Sequence, residues 1–300
     1  MLSTPQAQIN MATDVSDNLL STGITGGAPR GLWSKALGGT MHQGSTSGYN
    51  YGILTGYGYS LGAQKRDIIG GAFSYMHSEI GQDSSHYNAI NDYGLWLYGL
   101  YYPTSNRNYK LTGTVGGGLS SGHMYSTTLG LPITGNLNGD WFSTAIRGSY
   151  WAHVDSFIVS PRLSLSYNYN SINAYNTQGV SFLNVNVGAQ TGSEFTVSPA
   201  ILIGHKYKLD HVRLLPQVRL GMNENVGPSS SAVITAGQAT AVADGLTTPH
   251  TQGTAELRLD IGHGTDAGDV RGWAGNVAVK QVFGGGESQT EGVATLKYNW

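Results

Sequence analysis

The side chains best suited to ionic chemistry in this chain are basic and recur with a period of two. They share their parity with small polar neighbours, and Glu256 and Asp260 lie among them; the basic members are Lys110, Arg147, Arg162, Lys206, Arg213, Arg219, Arg258, Lys280 and Lys297. In an extended strand, alternate residues point to one face. Such a face could pair with acids on another segment or line a charged conduit. The alternative is the solvated polar face of a soluble barrel.

Acids that could pair with this face lie in the segment Thr4–Ser21, which carries Asp14, Asp17 and Asn18. Thr and Pro at its start form a favourable N-cap and first helical position. Apolar residues then follow helical spacing at Ile9, Ala12, Val15 and Leu19. We predict a helix whose acids contact the basic residues of the strands. Its apolar stripe is narrow, which favours polar surroundings, although a packed surface helix has the same pattern.

Catalytic motifs are absent from the sequence. There is no Gly-x-Ser-x-Gly, Walker or His-Glu-x-x-His pattern, and the chain has no Cys. Nine His are scattered; His205 and His211 flank one predicted turn and could bind metal, but exposed rim histidines explain them better. We therefore predict no enzyme activity, no cofactor and no metal site.

Composition narrows the class of protein. Charged residues are 11 % of the chain and mean hydropathy is -0.19, whereas globular chains carry roughly 25 % charge. No run of about 20 apolar residues could form a transmembrane helix, and 18 Tyr with 6 Trp argue against disorder. A formal charge of -2 gives no support for nucleic-acid binding. The segment from Met1 resembles no signal peptide, so an outer-membrane location implies further precursor sequence upstream.

Period-two patterning takes over from about Gly31. In Ser156–Asn170, Leu163 and Leu165 share an apolar face, and Arg162 and Ser164 share a polar one. About twelve such strands are predicted, starting near residues 31, 49, 67, 89, 108, 139, 156, 194, 212, 253, 269 and 290. Several exceed ten residues, enough to cross a bilayer at a tilt. The predicted fold is all-β: a 12-stranded antiparallel transmembrane β-barrel with an N-terminal α-helix in the lumen.

Connections between the predicted strands alternate in length. Tight turns join every second pair, while the other connections include the long segments Thr127–Asn138, Ser171–Ser193 and Asn223–Gln252. Outer-membrane barrels have short periplasmic turns and longer extracellular loops. This asymmetry favours such a barrel over a soluble β-sandwich.

The C-terminal segment places Leu296, Tyr298 and Trp300 on one face of a closing strand. A final aromatic residue suits the interfacial girdle of a membrane barrel and would act as an assembly signal. Further outward aromatics are predicted near strand ends, at Tyr49, Trp96, Tyr102, Tyr169 and Trp273.

A helix leading into Gly31–Gly39 (GLWSKALGG), about twelve amphipathic strands and a terminal aromatic resemble the translocator domain of monomeric autotransporters, the type V secretion family. Further similar stretches are Tyr49–Gly58, Tyr93–Tyr101 and Phe157–Tyr167. The resemblance implies a lumenal linker helix in residues 1–28 and an outer-membrane barrel in residues 29–300. It also implies a Gram-negative outer-membrane location and a barrel that helps its own N-terminal passenger, absent from this chain, reach the cell surface.

The same resemblance implies a set of partners: the passenger, outer-membrane lipid, the barrel assembly machinery and periplasmic chaperones, with the translocator itself a monomer. The helix has Asn10 and Asn18 but no Asn-Asn pair, so self-cleavage in the pore is not predicted. Two alternatives stay open. An outer-membrane barrel enzyme would need a Ser or Asp near a His on the long-loop rim, and a diffusion porin would lack the capped helix.

Overall fold

A computed structural model describes residues 4–21, 31–61, 67–83, 85–105, 108–128, 130–179, 184–209, 212–236, 239–244, 249–263 and 272–299. The single described helix, α1, is Thr4–Leu20. The amide of Ser21 still bonds to the carbonyl oxygen of Asp17 at 2.8 Å. The helix therefore begins at the predicted N-cap and ends within one residue of the predicted end.

All other regular structure among the described residues is strand. In chain order the segments are β1 (Gly31–Gln43), β2 (Thr46–Leu61), β3 (Asp67–Asp83), β4 (His86–Tyr101), β5 (Tyr109–Thr128), β6 (Leu131–Tyr150), β7 (Ala152–Val154), β8 (Phe157–Ile172), β9 (Tyr175–Asn176), β10 (Asn186–Val187), β11 (Gln190–His205), β12 (Tyr207–Leu209), β13 (Val212–Ala236), β14 (Ala239–Asp244), β15 (Thr251–His263), β16 (Gly272–Gly284) and β17 (Glu287–Asn299).

These segments form a closed barrel of twelve long antiparallel strands. The short segments β7 and β12 continue β6 and β11, β14 lies in line with β15 along β13, and β9 with β10 forms a small hairpin. Closure comes from β1, which pairs with β17 from Trp33↔Lys297 to Gln43↔Glu287. The predicted fold class is confirmed. A closed barrel suits a membrane because every backbone group of the strands is bonded within the sheet.

Side chains alternate between a lipid face and a lumen. On β8, Leu163 and Leu165 are 50 % and 37 % exposed on the outer face, while Ser164 is buried inside. Leu95 at 71 % and Leu257 at 64 % are among the most exposed apolar side chains. A continuous outward apolar surface of this kind marks contact with lipid rather than water.

The two ends of the barrel differ. We call the end with the start of β1 and the end of β17 the terminal rim, and the opposite end the hairpin rim. At the hairpin rim, β5 and β6 stay paired to Thr128↔Leu131, and β13 and β14 to Ala236↔Ala239. The β9–β10 hairpin lies between them, because Asn186 pairs with both Asn176 and Thr235.

This arrangement corrects the prediction of a long loop at Thr127–Asn138. Its residues belong mostly to β5 and β6, which is why β6 starts at Leu131 rather than near 139. The stretch alternates, with Ile133 and Leu137 buried and Thr134 and Asn136 exposed, and the backbone pairs continuously; Pro132 and Gly135 only resemble turn residues. The hairpin rim thus carries extended hairpins, and the usual asymmetry of these barrels predicts that it is the extracellular end.

Candidate functional site: the plugged lumen

Helix α1 lies inside the barrel and extends along the lumen from one rim toward the other. Near its start, Asn10 contacts the sulfur of Met41 close to the hairpin rim. Lower down, Ser16 bonds to Thr114 at 3.1 Å, and Ser21 accepts bonds from Arg147 and Arg258 at 3.1 and 2.8 Å. The helix therefore runs from the hairpin rim toward the terminal rim. The boundary predicted between residues 28 and 29 lies outside the described residues.

Asp17 is the main ionic contact between helix and wall. Its carboxylate pairs with Arg147, with Arg219 at 2.9 Å and with Lys280 at 3.3 Å. The three cations lie on β6, β13 and β16. The barrel brings them together, although Arg147 and Lys280 are 133 residues apart in the sequence. The side chains of these cations are 7 to 11 % exposed, so the pairs sit largely away from bulk water, where loss of one partner is costly.

Asp14, one turn earlier, is held differently. Its carboxylate accepts bonds from Asn50 at 3.3 Å and Gln289 at 3.0 Å, and its nearest cation, Lys280, is 3.8 Å away. Asn18 donates to Glu291 at 2.7 Å and to the carbonyl oxygen of Asp14. The three polar helix residues predicted to contact the wall, Asp14, Asp17 and Asn18, therefore face the same side. Of these three, only Asp17 is surrounded by cations.

The wall facing Asp17 is a charged arc, defined here by Arg147, Arg219, Glu256, Arg258, Asp260, Lys280 and Glu291. Arg219 also pairs with Glu256, and Arg258 pairs with Asp260 at 2.7 Å. Gln217 donates a further bond to Asp260 at 2.7 Å. Arg219 is thus shared between the wall acid Glu256 and the helix acid Asp17, and these charge-assisted bonds hold its guanidinium group in place.

The opposite wall is largely apolar, although it also carries buried polar residues such as Asp92, Thr114 and Ser120. We define an apolar arc of Trp33, Leu54, Met76, Trp96 and Trp141, all buried and inward-facing on β1–β6. These side chains join one hydrophobic cluster with the helix residues Met11, Ala12, Val15 and Leu19. The prediction of polar walls all round is therefore wrong for this half of the lumen, where the helix buries its apolar stripe as in a soluble core.

Two aromatics predicted to face outward belong to this inner cluster. Trp96 is 2 % exposed, donates to Ser74 at 2.9 Å and packs on Trp141 with ring centroids 5.2 Å apart. Tyr102 packs against the same cluster. In β4 the inward residues alternate with Leu95 and Leu97, so both faces of the strand are apolar and the sequence cannot separate them. Tyr49 and Trp273 are exposed on the outside, and Tyr169 is half-buried there.

Lys110 and Arg162 also lie on the lumen face, below the Asp17 contacts. Both approach the indole of Trp151, with Lys110 Nζ 6.0 Å and the Arg162 guanidinium carbon 5.0 Å from the ring centroid. Lys206 is exposed at the terminal rim. Among the predicted lumenal residues, Lys110 and Arg162 therefore differ from Arg147 and Arg219, which contact the helix acid directly.

The predicted assembly signal is described in part. Leu296 and Tyr298 are 55 % and 38 % exposed on the outer face of β17. Tyr298 packs against Trp273 with ring centroids 5.0 Å apart, forming an aromatic pair at the terminal rim. Trp300 lies outside the described residues.

Sequence reasoning missed several residues of this site. Lys35 is buried and donates to the carbonyl oxygen of Asn18, and Glu291 bonds to Asn18 and lies 3.5 Å from Lys280. Strand alternation would have found Glu291, because it shares its face with Lys297. Asn50 and Gln289 carry no such signal, since any inward polar residue has the same pattern.

Within the described part of the chain, no three His, Asp or Glu side chains lie close enough together to hold a metal ion. None of the described residues forms a helix long and apolar enough to span a membrane.

The sequence of this helix-plugged barrel matches the model of a known protein family. The model of the autotransporter beta-domain family matches residues 32–296, from β1 to β17. The chain belongs to this family. As an autotransporter β-domain it is an outer-membrane translocator, linked in this family to a passenger domain, and it confirms the predicted family, function and location.

Solved autotransporter structures share the fold. The translocator domain of NalP from Neisseria meningitidis has 16 % identity and a TM-score of 0.76, covering 99 % of this chain and 98 % of that one. The beta domain of the Bordetella autotransporter BrkA has 13 % identity and a TM-score of 0.68 over 90 % and 99 %. The AIDA-I transport unit from Escherichia coli has 15 % and 0.62 over 97 % of each chain. A search of curated protein sequences finds no match.

Proposed function

We propose that this β-domain leads a passenger, linked upstream of α1, to the outside through the hairpin rim, and that α1 then stays in the lumen as a plug. The observation that carries the proposal is the direction of the helix. Its first turns lie near Met41 at the hairpin rim, and Ser21 lies among Arg147 and Arg258. A chain extending upstream from Thr4 would therefore leave on the side of the long hairpins.

The contacts of α1 support the role of a plug. The helix is held by an apolar cluster on one side and by Asp17 pairs on the other. A diffusion porin would keep this space open for solutes. A cavity beside Asp17 has a volume of about 60 Å³. It has room for a few water molecules but is too small for the passage of solutes.

A reporter experiment tests the direction of export. The full chain is expressed with a signal peptide and an epitope-tagged passenger placed before residue 1, and intact cells are treated with protease. We expect the tag to be lost from intact cells while the barrel stays resistant. A matched control carries the tag after residue 300, at the terminal rim, and should be lost only after cells are opened. Protection of the N-terminal tag in intact cells would contradict the proposal.

We also propose that the domain catalyses no covalent chemistry. A rim enzyme would need an imidazole beside a Ser or Asp. At the hairpin rim, His250 contacts the carbonyl oxygen of Asn225 through Nδ1 at 3.0 Å, and His86 lies opposite Ser126 and Asp83 in the strand register. Turnover of ester or peptide substrates by purified protein, lost in His86→Ala or His250→Ala, would contradict this proposal.

Assembly partners form a further part of the proposal: periplasmic chaperones deliver the chain, the barrel assembly machinery inserts it, and the closed barrel stands in lipid as a monomer. The outward aromatic pair of Tyr298 and Trp273 supports a terminal-rim girdle. Trp300→Ser should lower membrane insertion and the yield of heat-modifiable protein. Trp273→Ser removes an aromatic from the same rim but not from the chain end, and should insert better. Equal insertion of both variants would exclude a special role for the last residue.

A further inference from the structure

The lumen contains two small cavities that share Arg162 in their lining, one beside Asp17 and the other beneath the C-terminal end of α1. One has a volume of about 60 Å³ and the other about 10 Å³; Arg147 and Arg162 line both. The smaller cavity is closed on the helix side by Leu20 and Ser21 and is also lined by Arg258. A polar cavity of roughly 10–15 Å³ already holds a water, so the pair offers room for a small solute and its hydration.

The charges around these cavities are unbalanced. The smaller cavity is lined by one carboxylate, Glu256, and by four cationic side chains, Lys110, Arg147, Arg162 and Arg258. The larger cavity is lined by one carboxylate, Asp17, and by Arg147, Arg162, Arg219 and Lys280. The other buried carboxylates of the lumen, such as Asp92, Glu194 and Glu287, line neither cavity. Asp17 already serves three cations. Charge buried without compensation is unfavourable, so the excess needs a counter-charge.

Hydrogen-bond donors at the same place lack acceptors. Arg162 stacks over Trp151, and its Nε is buried with no partner. Arg258, whose side chain is 8 % exposed, donates through Nε to Asp260 and through Nη1 to the carbonyl oxygen of Ser21, but its Nη2 is buried with no partner. Buried donors almost always find an acceptor. Here the missing acceptor lies where positive charge accumulates.

We propose that the lumen binds a small inorganic anion, of the size and charge of chloride, between Arg162 and Arg258 beneath the C-terminal end of α1. A water molecule would satisfy one donor but leave the positive charge uncompensated. A carboxylate of a peptide would need more space than the cavities provide. The site is closed by Leu20 and Ser21, so anion binding and plug docking stabilise one another by mass action. The proposal does not depend on passenger transport.

Diffraction from crystals of the full chain soaked in sodium bromide tests the position directly. Bromide scatters anomalously and substitutes for chloride. We expect an anomalous peak within hydrogen-bond distance of guanidinium nitrogens of both Arg162 and Arg258. Peaks confined to the protein surface would overturn the proposal.

Thermal unfolding of the full chain in non-ionic detergent gives a second test at constant ionic strength. Replacing sodium gluconate, whose anion is too large for the cavities, with sodium chloride should raise the midpoint saturably, by about 2–4 °C. Arg162→Gln should abolish the rise. Lys206→Gln, which removes one exposed cation at the terminal rim, should retain it. An equal midpoint in both salts, or the same rise in Arg162→Gln, would exclude the site.

Discussion

The two halves of the lumenal wall hold the same helix by different means. The apolar arc packs Trp33, Trp96 and Trp141 around the stripe that includes Val15 and Leu19, a contact that is strong but non-directional. The charged arc surrounds Asp17 with Arg147, Arg219 and Lys280. Ion pairs in a partly dry lumen need defined partners, so a slide of the helix by one turn, about 5.4 Å, would separate them.

The difference suggests a division of roles. Burial of the apolar stripe provides much of the free energy that keeps the helix in the lumen, and the charged arc fixes its depth and rotation. An apolar groove alone would accept many amphipathic helices, whereas misplacing a buried charge is penalised. Four measurements test this division of roles.

Removing both kinds of contact should have the largest effect. Deletion of residues 1–24 takes away the plug and leaves the barrel strands intact. We expect single-channel conductance in planar bilayers to rise several-fold, because the lumen then fills with water and ions. Unchanged conductance would mean that α1 does not block the pore, and neither arc would then matter for plugging.

Loss of the central acid should come next. Asp17→Leu leaves Arg147, Arg219 and Lys280 without this carboxylate, and removing one partner of a buried pair costs about 3–5 kcal/mol. Amide hydrogen exchange in residues 8–20 should accelerate by at least roughly a hundredfold. Adding Arg147→Met should restore part of the protection, because one of the cations that Asp17 had compensated is removed while Arg219 keeps its pair with Glu256. No recovery in the double variant would indicate that Asp17 acts through something other than these pairs.

On the apolar side a smaller loss is expected. Val15→Ala removes two methyl groups from a side chain that is 2 % exposed, a change worth about 1.5–2 kcal/mol. Exchange of the same amides should rise by roughly ten- to thirtyfold. Thr13→Ser, on the half-buried side of the helix, keeps the hydroxyl that accepts a bond from Asn168 and provides a control with a smaller expected change. A larger effect of Val15→Ala than of Asp17→Leu would reverse the proposed division.

Asp14 should be the least sensitive of these positions. Its carboxylate accepts bonds from the amides of Asn50 and Gln289, and its nearest cation is at 3.8 Å. Asn at this position keeps one acceptor oxygen, so Asp14→Asn should cost less than about 1 kcal/mol and change exchange by less than roughly fivefold. Asp17→Asn, the same substitution three residues later, should cost more. Equal costs would show that the charged arc does not distinguish the two acids.

Most of the barrel follows from local pattern. Predicted strand starts at 31, 67 and 212 coincide with those observed, and most others lie within four residues. Strands such as β8 alternate clearly because one face meets lipid and the other meets a polar lumen, so Leu163 and Arg162 separate by parity alone. The helix start is equally local, since Thr4 and Pro5 suit an N-cap and first turn.

Other features required the assembled structure. In β4 both faces are apolar, and only closure of the barrel around α1 decides that Trp96 packs inward while Leu95 meets lipid. The Thr127–Asn138 hairpin is held by backbone pairing that its Gly, Pro and Asn residues do not signal.

Three features can be predicted from the sequence alone: the strand number, the lipid and lumen faces of the clearly alternating strands, and a helix bearing Asp14 and Asp17. Each depends only on periodicity and capping within one segment. Which cations pair with which acid, in contrast, follows only from the tertiary structure. Arg147, Arg219 and Lys280 converge on Asp17 because β6, β13 and β16 surround one point of the lumen. Ion pairing depends on the distance between charged side chains across the pore. Barrel closure and strand register set this distance, and spacing along the chain does not.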